Sequence, residues 1–138
     1  MSAESTPLVD LGAYGAWLFD VDGVLTQTAT VHATAWKMAF DSFLAAEGAR
    51  TGTPYAPFDE VNDFENYVNG MPREDGVRDF LSSRGITLPE GAPDDPPGAR
   101  TVNGVADAKN EHFQTVIASQ GIVAFDGAVR LVRDLRGR

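Results

Sequence analysis

The sequence has no cysteine, which excludes disulfides, thiolate metal sites and cysteine nucleophiles and suits a reducing cytoplasm, the expected location. Basic residues are also scarce: 11 lysines and arginines stand against 20 acidic residues, a net charge of −9, with no basic cluster. Nucleic acid is not an expected partner on that balance. Any anionic ligand has to be held by a few local cations and backbone amides, with help from a divalent cation. No apolar run approaches the roughly 20 residues that span a bilayer, so no membrane partner is expected. Met1 to Leu11 has acidic residues and a proline but no basic start, and is not expected to be a secretory signal. With 138 residues, 43% of them hydrophobic and 22% charged, the chain has the composition of one ordinary globular domain and no internal repeat.

What is present reads as one strand followed by helices. Ala16 to Phe19 is a short apolar run ending at Asp20, a pattern that suits a strand buried in a parallel sheet, with the carboxylate at its C-terminal end. From Ala29 to Glu47, Trp36, Phe40, Phe43 and Leu44 recur at helical spacing, and Gly48 is a stop signal. Phe58 to Val68 reads as a second helix closed by Gly70. Pro72 at a first helical position, Glu74 and Asp75 in a first turn, and Val77, Phe80 and Leu81 on one face predict a third helix to about Gly85. Gly85 to Gly104 holds four prolines and four glycines and reads as a surface loop. Ala106 to Gln120 predicts a fourth helix capped by Gly121, and Asp126 is an expected cap for a last helix bearing Ala128, Leu131, Val132 and Leu135.

A lone strand exposes backbone donors and acceptors on both edges. Its partners must come from further sequence or from self-association with another chain, or else the strand region is poorly ordered.

Asp20 and Asp22 carry the chemistry. Two carboxylates two residues apart at a strand end, followed by Gly23, can divide labour: one attacks phosphorus while the other handles the proton of the leaving or entering oxygen. Both roles call for a divalent metal, and Mg²⁺ prefers such oxygen ligands. A calcium loop is disfavoured, because its twelfth position, where a glutamate is required, is Val31. A purely structural Asp-Gly turn is the bland alternative. Thr28, His32 and Trp36 follow at successive i+4 spacings, so one face of the first helix is a candidate to look onto the aspartates. His32 is then either a modulator of proton transfer or a packed histidine, and Trp36 belongs to the core.

Leu18-Phe19-Asp20-Val21-Asp22-Gly23-Val24-Leu25-Thr26, with Thr28, His32, Ala35, Trp36 and Lys37, resembles the first motif and first cap helix of the β-phosphoglucomutase-like group of the haloacid dehalogenase (HAD) superfamily. Gly70-Met71-Pro72-Arg73-Glu74-Asp75-Gly76-Val77 resembles that group's cap arginine segment, and Lys109-Asn110-Glu111 its Lys-Asn segment before Phe125-Asp126-Gly127. The resemblance implies an α/β fold: a HAD-like Rossmannoid core, here only its first strand and a returning helix, with an inserted all-α helical-bundle cap. Residues 1–27 would begin the core, 28–121 form the cap and 122–138 return to the core.

It further implies that Asp20 forms an aspartyl-phosphate, that Asp22 is the general acid/base, and that Mg²⁺ sits on Asp20 and Asp22, through the backbone carbonyl of the latter. Gly23, Thr28, His32, Arg73, Lys109 and Asn110 would contact a phosphorylated sugar, the alternative for Arg73 and Lys109 being an ordinary solvated cation. Gln27 departs from the pattern, standing where the group often has an acidic residue. The resemblance also implies a Ser/Thr phosphate motif, a catalytic lysine and an acidic pair that the chain lacks. Two functional readings follow: a sugar-phosphate mutase or phosphatase, or an inactive, cap-like helical binding unit.

Overall fold

A computed structural model describes residues 9–137, so the reading of Met1 to Leu11 lies almost wholly outside the described residues. The chain divides into two compact units, one of Ala29–Gly121 and the other of the residues before Ala29 together with those from Ile122 onward.

The first of these units is helical. Helix α1 (Ala29–Thr51) runs through Gly48, past its expected stop. It packs against α3 (Val102–Gln120), and α2 (Arg73–Ser83) packs against α3 and a five-residue π-helical segment, Phe64–Val68. The periodic residues meet as expected. Phe40 and Phe80 are fully buried, their ring centroids 4.1 Å apart, and Phe40 also stacks on Trp36 at 4.9 Å. Phe58, Val77, Leu81, Val102 and Val105 close this core.

Three local departures have physical causes. The helix expected from Phe58 starts later because the Asp59 carboxylate accepts from the Val61 and Asn62 amides, and the Asp59 amide donates to Asp63 at 2.9 Å. That side-chain turn replaces the first helical turn. Pro72 occupies the cap position ahead of α2 rather than its first turn. Helix α3 begins four residues early, capped by Thr101, whose hydroxyl accepts from the Gly104 amide at 3.0 Å. Gly104 is glycine there for space: a Cβ would lie 2.5 Å from the Ala99 carbonyl oxygen. The loop before it is tied down, with Ile86 buried and Thr101 Oγ1 donating to Asp95 at 2.7 Å.

In the second unit the expected strand is absent. Ala16 to Phe19 joins no ladder, and Leu18 is 100% exposed. Among the described residues, pairing outside helices is confined to isolated bridges, Asp22 with Thr26 and Thr26 with Ala124. The α/β sheet is therefore not formed among the described residues, because an extended segment needs neighbouring backbone to satisfy it and the chain turns away after Asp20 instead. Helix α4 (Asp126–Arg136) has Phe125 at its cap, so Asp126, expected as the cap, lies in the first turn, where its charge suits the helix N-terminus.

Candidate active site

The turn after Asp20 is built on one carbonyl. The Val21 oxygen accepts from the amides of Val24, Leu25 and Thr26 at 3.3, 2.9 and 3.0 Å and from the Thr26 hydroxyl at 3.1 Å. Gly23 supplies the reversal with φ 75°, and its amide donates to the Thr26 carbonyl at 2.8 Å. Asp20 and Asp22 are exposed on this turn. The Asp20 carboxylate accepts from the Val21 amide at 2.9 Å.

Thr28 lies one residue before α1 rather than on it. It is buried, and its hydroxyl hydrogen-bonds the Asp22 carboxylate and lies 2.8 Å from the Thr26 hydroxyl. The sequence gives Thr26 no role beyond its place in the first motif, although a Thr-x-Thr beside an Asp-x-Asp is a visible signal. A second strand of chain braces the turn: the Gln27 amide donates to Val123 at 2.8 Å, and the Phe125 amide to Leu25 at 3.0 Å.

The donors on this turn are oxygens, and the described residues hold no group of three or more His, Cys, Asp or Glu able to bind a metal. Carboxylate oxygens of this kind suit a hard divalent cation, whose remaining positions go to water and substrate.

In the helical unit, Lys109 is buried, 5% exposed, with Nζ 2.8 Å from His32 Nδ1. The same ammonium lies 5.2 Å from the Trp36 ring centroid and 4.9 Å from that of Phe113. His32 stacks on Phe113 at 4.3 Å. The His32 and Trp36 face of α1 thus meets Lys109 on α3, and Lys109 is not a solvated lysine. Phe113 is the missed member, and its i+4 spacing from Lys109 is the signal. Asn110 is exposed. Arg73, at the start of α2, is half-buried, and its Nη1 is buried with no hydrogen-bond partner.

No family model matches the chain. Over 115 residues it is 50% identical to proteins named β-phosphoglucomutase from Mycobacterium bovis and Mycobacterium tuberculosis, a match covering 83% of this chain and 44% of each relative. The chain is a relative of the β-phosphoglucomutases. The match fits the N-terminal part of a HAD-type protein, and the chain spans less than half the length of the β-phosphoglucomutases it matches. A Mycobacterium tuberculosis protein described as an uncharacterized glycosyl hydrolase is 37% identical over 89 residues, 64% of this chain and 6% of that protein. The β-phosphoglucomutase relatives carry an enzyme name from carbohydrate metabolism. No helix among the described residues is long and apolar enough to cross a membrane.

Proposed function

We propose that this chain carries the nucleophile and the acid/base of a phosphoryl-transfer reaction on a sugar phosphate. One observation carries the reading: Asp20 and Asp22 stand exposed on one tight turn, with the Asp22 carboxylate held by the buried Thr28 hydroxyl. An oxygen of Asp20 attacks phosphorus, the bond from phosphorus to the sugar oxygen breaks, and protonated Asp22 gives its proton to that oxygen. The aspartyl-phosphate is cleaved by a second oxygen, from water in a phosphatase or from another sugar hydroxyl in a mutase, and Asp22 takes that proton.

Mg²⁺, held by the Asp20 carboxylate and the Asp22 backbone carbonyl, would lessen the repulsion between Asp20 and the phosphate. Residues 1–27 and 122–138 would then belong to the core and 28–121 to its cap. Arg73 suits a substrate phosphate, since an anion there would complete its unsatisfied Nη1. His32, Lys109 and Asn110 are proposed to act from the cap. The test is turnover of hexose phosphates with Mg²⁺ by a protein carrying this sequence at the full length of its relatives. Asp20→Asn is expected to reduce turnover by about 1000-fold or more, and unchanged turnover would sink the proposal.

A second reading, a helical binding unit without activity, is favoured by the closed core of Ala29–Gly121. Sustained Mg²⁺-dependent phosphate release by the 138-residue chain, lost in Asp20→Asn, would overturn it.

A further inference from the structure

We propose that the helical unit has a second anion site, distant in sequence from Asp20 and Arg73, that takes phosphate or a phosphate monoester in the cleft between α1 and the start of α3. The cleft has a volume of about 200 Å³, and its walls include Ser42, Phe43, Glu47, Arg50, Arg100 and His112. Glu47 is buried, 5% exposed, and receives two guanidiniums at once. Arg50 donates from Nε and Nη2 at 3.1 and 2.6 Å, and Arg100 from Nε and Nη2 at 2.9 and 2.7 Å. Each carboxylate oxygen therefore accepts one bond from each arginine.

Two consequences point to a ligand. First, both forks use the same edge on Glu47, which leaves each Nη1 on an edge turned from the carboxylate, with no protein hydrogen bond among the described residues. Second, two guanidiniums against one carboxylate leave an uncompensated positive charge, and Glu47 is the only acidic residue lining the cleft. On a chain of net charge −9 that local excess is unusual. A structural clip explains Arg100, which ties the loop before α3 to α1. Arg50, 55% exposed, sits in the last turn of α1, where a cation suits the helix C-terminus, and its charge adds to that of Arg100 at the cleft. A tetrahedral oxyanion suits the outward guanidinium edges, with His112 and the Ser42 hydroxyl as further donors and Phe43 as an apolar wall for a small organic body.

The test is titration of the 138-residue chain with inorganic phosphate at constant ionic strength, read by amide NMR, with chloride as comparator. Saturable shifts are expected at Ala46, Arg100 and His112, and they should persist in Arg73→Gln, which removes the other candidate phosphate group. Arg50→Gln and Ala46→Glu should each weaken binding at least about tenfold. Ala46 is exposed on α1, so the added carboxylate leaves the Glu47 cluster in place and decides the matter if Arg50→Gln fails to fold. Shifts that do not saturate, that chloride reproduces, or that survive Ala46→Glu unchanged overturn the site.

Discussion

The Lys109 ammonium lies 2.8 Å from His32 Nδ1 across the interface of α1 and α3. When Lys109 is charged its ammonium can only donate, so the expected state has His32 accepting at Nδ1 and carrying the neutral ring's proton on Nε2. Nitrogen-15 shifts of the imidazole are expected to report that tautomer, and Lys109→Met should release it. A protonated Nδ1 in the neutral ring at wild-type Lys109 would contradict the geometry.

Thr28 tests the support given to Asp22. Thr28→Val keeps the buried shape and removes the hydroxyl that bonds the Asp22 carboxylate. Stability should fall by about 1 kcal/mol in urea unfolding, since Asp22 itself is exposed and water replaces the lost bond. In the full-length setting kcat should drop with little change in KM.

The Glu47 cluster gives a pH dependence of known sign. Hydrogen bonds from Arg100 and Arg50 hold the Glu47 carboxyl far below its ordinary value of 4.5. A depressed folded-state value means the stabilisation is complete above the unfolded-state value and is lost as pH falls. Glu47→Gln should therefore be less stable than wild type at pH 7, and the gap should close progressively below about pH 4.5. A constant gap from pH 7 to pH 3 would show that the carboxylate is not paired.

The aromatic core gives the largest expected loss. Phe40 is fully buried and stacks on Trp36, so Phe40→Ala should cost about 3–5 kcal/mol. Thermal melts of the far-ultraviolet helix signal measure it.

Leu18 gives the smallest. It is 100% exposed, and Leu18→Asp should change stability by less than about 0.5 kcal/mol in dilute solution. A large loss, with a dimer of the wild type by light scattering, would mean that a second chain covers the Ala16 to Phe19 segment.

Much of this was legible in the sequence where periodicity and chemistry agree. Trp36, Phe40 and Leu44, and again Val77, Phe80 and Leu81, announce buried helical faces, and all six are buried. Asp20, Asp22 and Gly23 announce a turn, and Gly23 has the positive φ that such a turn requires. The illegible parts depend on partners distant in sequence. Ala16 to Phe19 has a strand's composition, but composition does not supply neighbouring strands. Gly104 reads as a loop glycine until Ala99 is seen against it. His32 and Lys109 each stood out, yet no spacing rule links residues 77 positions apart.

Thr26 pairs with Ala124, and Gln27 with Val123, in antiparallel sense. Topologically, Ala29–Gly121 is the loop of a minimal hairpin. Its two ends leave from neighbouring points, so the helical unit can be lengthened, exchanged for another fold, or replaced by a short Asn-Gly turn while the flanking chain keeps its continuity. That geometry is the physical basis of modular exchange: the helical unit can change without redrawing the turn that holds Asp20.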